Sequence, residues 1–178
     1  MHVAILLTTL KPSGLNVVKQ FVQAGKQIHG FDCVLAGDIP RGSGISSSAA
    51  VEGGLAFALN ELFDAGYNRK ELALLCQRAE HDFPNVKCGI MDQFSSIMGL
   101  ENKVIKIDCR TLDYTYHDAD FSDYSLILFD SNVKHSLMTS AYNERRQQCE
   151  EGIAIVKANF PEINEGGTPG PGTVNCPV

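Results

Sequence analysis

The chain has 178 residues, a length typical of one domain that can bury its own hydrophobic core. Hydrophobic residues make up 44% and charged residues 20%, which excludes a disordered chain and indicates a soluble globular protein. Fifteen Lys and Arg against 21 Asp and Glu leave a net charge of −6 without a basic block. We therefore expect no nucleic-acid partner and no docking on an anionic membrane.

No apolar run approaches the ~20 residues of a transmembrane helix. The first residues lack the basic region and the small-residue cleavage site of a secretory signal. The sequence therefore predicts a cytoplasmic protein.

Six cysteines are scattered along the chain without a C-x-x-C pair or a finger-like histidine spacing, which argues against structural zinc. An even number would permit three disulfides, but several of these cysteines lie in apolar stripes, where a thiol behaves as a small hydrophobe. Reduced thiols are the prediction. The six are Cys33, Cys76, Cys88, Cys109, Cys149 and Cys176.

Hydrophobic periodicity and turn signals predict a mixture of helices and short strands. Helices are expected over residues 13–25, 49–63, 69–81, 89–98 and 140–159, strands over 31–36 and 124–130, and a hairpin pairing 104–108 with 114–117. The first helix should stop at Ala24 and Gly25. After Pro161 the composition becomes rich in Gly and Pro, which predicts a flexible tail over 161–178.

Three of these helices have an apolar stripe that we expect to face the core. Gly53 and Gly54 interrupt the first of them, each at a helix-propensity cost of ~1 kcal/mol relative to Ala. The stripes are Val51, Leu55, Ala58, Leu59 and Leu62; Leu72, Leu75, Cys76 and Ala79; and Tyr142, Cys149, Ile153 and Val156.

The segment over residues 41–50 contains Gly42 and Gly44 ahead of three serines at 46–48. Between a strand and a helix, glycines let backbone N–H groups approach an anion, and the helix N-terminus adds the positive end of its dipole. Serine hydroxyls can bind phosphate or a phosphate-bound Mg²⁺. The segment lacks the Lys of a Walker A loop and the third Gly of a dinucleotide fingerprint, and it is not a G-x-S-x-G elbow. A turn whose serines cap the helix is the alternative.

Two carboxylates and one tyrosine are further candidates. Glu80 lies at the margin of a buried helix face, where it needs a cation, either a basic side chain or a metal. Asp92 falls in the first turn of a short helix, where the dipole keeps it ionised and able to act as a modest base; a surface acid is the alternative. Tyr142 is on the inner stripe of the last helix, where packing in the core is its default role.

Taken in order, these segments resemble the galactokinases, a family of the GHMP small-molecule kinases. The resemblance covers residues 31–150. It rests on G-D-I-P-R-G-S-G-I-S-S-S-A-A at 37–50, A-E-H at 79–81, C-G-I-M-D-Q-F at 88–94, D-C-R at 108–110, D-S-N-V-K-H-S at 130–136 and S-A-Y-N-E-R-R-Q at 140–147.

The resemblance implies an α+β fold with a GHMP-kinase N-terminal domain, a mixed sheet backed by helices, over residues 1–120. The start of a ferredoxin-like C-terminal domain would follow over 121–160, with the boundary near 118–123. The implied reaction is ATP-dependent phosphorylation of galactose at its anomeric hydroxyl, giving galactose 1-phosphate. A GHMP kinase for a different small alcohol and a catalytically silent module that binds ATP and sugar are the alternatives.

The same resemblance implies roles for individual residues. Ser48 and Glu80 would bind Mg²⁺, Asp92 would orient and deprotonate the sugar hydroxyl, and Gly89 and Tyr142 would contact the sugar. The residues that would wrap the ATP phosphates are Gly42, Ser43, Gly44, Ile45, Ser46, Ser47 and Ser48.

Two galactokinase motifs have no match in this sequence. One is the G-R-x-N-x-x-G-E-H-x-D-Y signature, which supplies most of the sugar hydrogen bonds and a catalytic arginine, and the other is a G-G-G-x-G-G segment. We therefore expect a partial galactokinase. An incomplete second domain would leave an apolar sheet edge uncovered and favour self-association.

Overall fold

The computed structural model describes residues 12–40, 44–82, 87–125, 127–129 and 138–160, with the backbone alone for 12, 13 and 138–142. In these ranges the chain forms five helices and a two-stranded sheet. In chain order they are α1 (Pro12–Gln23), α2 (Ser47–Leu62), α3 (Arg69–Asp82), α4 (Met91–Met98), β1 (Lys103–Asp108), β2 (Asp113–Asp118) and α5 (Met138–Asn159).

Helix α1 ends where the sequence predicts. The N–H of Lys26 donates to the carbonyl of Phe21 at 3.0 Å, and the N–H of Gly25 donates to the carbonyl of Val22 at 2.9 Å. These two bonds form a Schellman motif, which requires the left-handed conformation that Gly25 adopts at φ 76°. A glycine takes this conformation without strain, so it ends the helix.

The core lies where α1 to α4 pack together. Helix α1 contacts α2 and α3, and α4 packs on both α2 and α3. All four residues of the stripe predicted for α3 are buried, which confirms that prediction. The largest buried apolar side chains are Val17, Phe21, Leu55, Leu59, Leu72, Leu75, Cys76 and Phe94.

The face that α2 buries differs from the predicted stripe. Ala58 is exposed and Leu62 is 64% exposed, whereas Glu52, Ala56 and Asn60 are buried. The reason is that α1, α3 and α4 all contact this helix, so its buried face is wider than one stripe and is set by the neighbours. Sequence periodicity cannot identify those neighbours.

The two glycines do not break α2, which is continuous from Ser47 to Leu62. Gly53 lies at the contact with α4, where an added Cβ atom would stand 2.9 Å from Cγ1 of Ile97. The missing side chain therefore allows the two helices to approach closely, which offsets the lost helix propensity.

The predicted hairpin is confirmed. Strands β1 and β2 are antiparallel, with Ile105 opposite Tyr116. The Tyr116 hydroxyl donates to the carbonyl of Met98 at 2.7 Å, and the Tyr114 ring meets Phe94 edge-on with centroids 5.3 Å apart. These contacts fix the sheet against α4. The α+β class is confirmed, and in the described ranges the sheet consists of this antiparallel pair.

Two predicted strands are wrong for the residues that the structure describes. Residues 31–36 have no regular structure, although Phe31 and Cys33 are partly buried against the core. Residues 124, 125 and 127–129 are likewise irregular, and Phe129 is 90% exposed. Both segments have the apolar pattern of strands, but a strand also needs a hydrogen-bonding neighbour, and none pairs with them within the described ranges.

Helix α5 confirms the predicted long helix, but its described apolar residues are exposed. Cys149, Ile153 and Val156 of the expected stripe all face solvent in the described part of the chain. The Tyr142 side chain and the predicted tail lie outside the described residues. No helix among the described residues combines the length and apolar character needed to cross a membrane.

The Gly53 contact gives a stability prediction. Gly53→Val should lower the free energy of unfolding by about 1–3 kcal/mol, because the added methyl groups overlap the Ile97 side chain. Chemical denaturation followed by circular dichroism measures this change. Gly152→Ala is the matched helical control, since its Cβ atom meets nothing within 4 Å and should be neutral or slightly stabilising. Equal effects of the two substitutions would contradict the close approach of α2 and α4.

The apolar residues after β2 support the expected self-association. Phe121, Tyr124, Ile127 and Phe129 are all more than 60% exposed, at 64%, 75%, 69% and 90%. Sedimentation velocity should show concentration-dependent oligomers, and Ile127→Asp with Phe129→Asp should shift the chain toward monomer because charge opposes apolar contact. A monodisperse monomer across the concentration range would refute this expectation.

Candidate functional site

The N-terminus of α2 is open to solvent. Ser46 precedes the helix in the left-handed conformation, at φ 56° and ψ 43°, and its side chain makes no capping hydrogen bond. Ser47 and Ser48 form the first turn, with Ser48 exposed. Capping by the Ser46 side chain is therefore not observed, and the exposed Ser48 leaves part of the first turn open to solvent, as an anion site requires. Gly44 and Ile45 are exposed just before it, while Gly42 and Ser43 lie outside the described residues.

A pair of carboxyl groups joins α2 to α3. Glu80 is half-buried on α3, and its side chain is within hydrogen-bonding reach of Glu52 on α2, which is 1% exposed. Burial, the negative charge of Glu80 and the hydrogen bond to it raise the pKa of Glu52 to about 9. The neutral form of Glu52 is therefore favoured relative to an ordinary glutamate.

No basic side chain forms an ion pair with Glu80 in the described part of the chain. The simpler explanation of Glu80, an ordinary ion pair on the helix surface, therefore finds no support in these ranges. Its carboxylate is left facing a second acid, and a cation would be its natural partner.

The segment before α4 is held against α3 through the backbone of Cys88. The Cys88 carbonyl accepts hydrogen bonds from Gln77 Nε2 at 3.1 Å and from His81 Nε2 at 2.9 Å. The Gln93 amide donates to the Cys88 sulfur at 3.7 Å. These contacts fix where α4 begins, and they explain His81 as a structural residue.

The half-buried Cys88 thiol is influenced by three acidic side chains. Partial burial, and after it the charges of Glu80, Glu52 and Asp92, raise its pKa to about 11, while the Gln93 hydrogen bond opposes them. The three acids come from three different helices, so their influence on one thiol arises only on folding. Asp92 itself is exposed in the first turn of α4, as the sequence predicts.

Of the two residues expected to contact the sugar, the structure describes Gly89 fully and Tyr142 by its backbone alone. Gly89 is half-buried next to Cys88, two residues before α4. Tyr142 belongs to α5, and its side chain lies outside the described residues. The neighbouring Asn143 accepts a hydrogen bond from the N–H of Lys87 at 3.1 Å, which brings the start of α5 to the segment that carries Gly89.

Sequence reasoning missed Glu52 and Gln93. Both are buried, and each keeps one side-chain oxygen, Oε2 of Glu52 and Oε1 of Gln93, without a hydrogen-bond partner among the described residues. A signal was available for Glu52, because this acid follows Ser48 by one helical turn in the mostly apolar first half of α2. Gln93 belongs to the C-G-I-M-D-Q-F motif, but nothing in its local pattern indicates that it is buried.

Residues 14–100 match the family described as GHMP kinases N terminal domain. This segment, which contains helices α2 to α4 and nearly all of α1, is similar to that domain. The expected resemblance to the GHMP kinases is confirmed.

The relatives it matches are galactokinases. Galactokinase from Clostridium tetani is 40% identical over 142 residues, which is 79% of this chain and 36% of that protein. Galactokinase from Thermotoga neapolitana is 39% identical over 151 residues, which is 84% of this chain and 43% of that protein.

A solved structure, Lactococcus lactis galactokinase complexed with galactose, superposes with a TM-score of 0.78 at 33% identity. The superposition covers 85% of this chain and 39% of that one. The chain thus spans about two fifths of the length of the galactokinases it matches.

The raised pKa of Glu52 gives a prediction about stability in metal-free buffer. The folded chain keeps this proton up to about pH 9, whereas the unfolded chain loses it near the ordinary glutamate pKa of 4.5. Between these values the unfolded state binds fewer protons, so stability falls as pH rises, by about 1 kcal/mol per pH unit.

Denaturant titrations at pH 5, 6, 7 and 8 test it, with Glu52→Gln as the matched variant that cannot ionise. As pH rises, the free energy of unfolding of the unsubstituted chain should fall by that amount per pH unit relative to that of Glu52→Gln. Parallel curves for the two chains would show that Glu52 does not hold the proton.

Proposed function

We propose that this chain carries the phosphoryl-transfer site of a galactokinase, which uses ATP to phosphorylate galactose at its anomeric hydroxyl. The observation that carries the proposal is the match to galactokinases over about four fifths of the chain, and the influence of Glu80 and Asp92 on the same Cys88 thiol supports it. The relatives' names and the galactose in the superposed structure support galactose as the acceptor.

The triphosphate would lie at the N-terminus of α2. Residues 44–48, which are exposed or partly exposed, offer backbone N–H groups and hydroxyls, and the positive end of the helix dipole favours an anion there. Gly42 and Ser43 would complete the loop. This chemistry suits phosphate oxygens, and the positive φ of Gly44, 78°, turns the chain into the helix.

Magnesium fits the residues that the resemblance assigns to it. The Ser48 hydroxyl and the Glu80 carboxylate are hard oxygen ligands of the kind that Mg²⁺ prefers beside phosphate oxygens. Glu80 has no cationic partner within the described ranges. When bound with ATP, Mg²⁺ neutralises charge on the β- and γ-phosphates.

Asp92 would act as the base. Its carboxylate would accept the proton of the anomeric hydroxyl as that oxygen bonds to the γ-phosphorus and the bond to ADP breaks. Gly89, which is half-buried beside it, and Tyr142 would position the sugar. A loose transition state demands mainly positioning from the protein, which helix-mounted residues provide.

We also propose the domain division predicted from the sequence, with a GHMP N-terminal domain over 1–120 and the start of a second domain over 121–160. The cytoplasm is the proposed location. Among the described cysteines, Cys33, Cys76, Cys88 and Cys149 are free thiols, which suits a reducing compartment.

A coupled ADP-release assay with Mg²⁺, ATP and galactose tests the reaction. Asp92→Asn should lower kcat by about 10²-fold or more, because the amide cannot take the proton, while Mg·ATP still raises the melting temperature. Asp123→Asn, an exposed acid after β2, is the control and should leave the rate unchanged.

Three other results of this assay would each replace the proposed function by a different conclusion. Turnover only with another alcohol would replace galactose as the substrate. Mg·ATP binding without turnover by the unsubstituted chain would favour the silent module, and no nucleotide binding by a folded chain would reject the site.

A further inference from the structure

Two side chains of α3 bind one backbone carbonyl in the segment that precedes α4. Gln77 Nε2 lies 3.1 Å and His81 Nε2 lies 2.9 Å from the Cys88 carbonyl oxygen. The two residues are four positions apart, so their side chains lie on the same face of the helix. A carbonyl oxygen has two lone pairs, and the two donors together occupy both. We call this arrangement of Gln77, His81 and the Cys88 carbonyl the carbonyl clamp.

The carbonyl clamp determines the direction of the next backbone N–H. The peptide bond between Cys88 and Gly89 is trans, because no cis peptide occurs in the described part of the chain. In a planar trans peptide the N–H points opposite to the carbonyl. Since the Cys88 carbonyl is bound to α3, the Gly89 N–H points away from that helix. A donor whose direction is fixed before binding costs little entropy when a ligand accepts its hydrogen bond.

The second donor of the clamp is more than the carbonyl needs for a stable fold. One hydrogen bond satisfies most buried carbonyl groups, and Cys88 is only half-buried. Gln77 and His81 are themselves half-buried, and both donate to this one oxygen. Two donors from successive turns of α3 restrict the rotation of the peptide, which a single hydrogen bond leaves free.

Two further hydrogen bonds hold the same segment. The N–H of Lys87 donates to Oδ1 of Asn143 at 3.1 Å, which connects the segment to α5. The Gln93 amide donates to the Cys88 sulfur at 3.7 Å, and Gln93 is only 2% exposed. Residues 87 and 88 are therefore bonded to α3, α4 and α5, and Gly89 follows directly.

We propose that Gln77 and His81 are positioning residues, which orient the Cys88–Gly89 peptide so that its N–H donates to an oxygen atom of the sugar. The inference rests on the proposed function, because that function places Gly89 in contact with the sugar. Both side chains act through the backbone and do not touch the substrate. The carbonyl clamp should therefore affect the affinity for the sugar and leave the affinity for Mg·ATP unchanged.

The test compares side chains of similar length that do or do not donate a hydrogen bond. Gln77→Met and His81→Met remove the donors singly and together, whereas His81→Gln retains a donor in place of Nε2. The coupled ADP-release assay gives the KM for galactose and the KM for Mg·ATP. The dissociation constant of galactose is measured in parallel from the Gly89 amide resonance in ¹⁵N NMR spectra.

We expect the double variant to raise the KM and the dissociation constant for galactose by about tenfold or more, and each single methionine variant to raise them about threefold. His81→Gln should stay within about twofold of the unsubstituted chain, as should the KM for Mg·ATP in every variant. Galactose should shift the Gly89 amide proton downfield in the unsubstituted chain, as a new hydrogen bond requires, and shift it less in the double variant.

A buried polar residue on α2 provides the control for lost stability. Asn60 holds the loop before α3, accepting from the Tyr67 N–H at 2.8 Å and donating to its carbonyl at 3.1 Å. Asn60→Ala should lower the melting temperature and the active fraction without changing the KM for galactose. A clamp that served folding alone would behave like Asn60. If the double variant does not fold, the single variants take its place with their threefold change.

Failure of this inference can be separated from failure of the proposed function. If the unsubstituted chain binds galactose and the methionine variants bind it equally well, the clamp does not position Gly89. The inference is also wrong if His81→Gln weakens binding as much as His81→Met, if the KM for Mg·ATP rises with that for galactose, or if galactose binds without shifting the Gly89 amide proton. If galactose changes no resonance of the unsubstituted, folded chain, the proposed sugar site is wrong and this inference falls with it.

Discussion

The contact between Glu52 and Glu80 is the constraint around which the candidate site is arranged. It joins α2, which carries the serine-rich N-terminus, to α3, which carries the proposed second metal ligand. Burial, and after it the nearby Glu80, raise the pKa of Glu52 to about 9, so Glu52 favours its neutral form.

Two packing contacts fix the position of α4, the third helix of the candidate site. Gly53 lets α4 approach α2, and the Cys88 carbonyl, bound by Gln77 and His81, fixes the turn that leads into α4. Asp92 is then placed in the first turn of α4, where its charge influences the same half-buried thiol as that of Glu80. Rigid helices position side chains more accurately than loops, which suits a reaction that depends on positioning.

The part of the fold that sequence reasoning predicted is the part governed by local signals. The end of α1 follows from a glycine that adopts a left-handed conformation, the stripe of α3 from helical periodicity, and the hairpin from alternating residues around a turn. The strands expected over 31–36 and 124–130 were wrong in the described residues, because strand formation needs a partner that no local pattern identifies. The buried face of α2 was predicted wrongly for the same reason. Helices α1, α3 and α4 all pack against α2, and its local pattern does not identify them.

By itself, the sequence determined the resemblance to the galactokinases and the candidate residues of the site. The glycine–serine segment, Glu80 and Asp92 were candidates because their residue types and local context suit phosphate, metal and proton chemistry. Only the tertiary structure decided that Glu52 is buried. The burial of an acid and the charge of its neighbours depend on side chains from other helices. Those side chains come close to it only when the chain folds, so the local sequence does not reveal them.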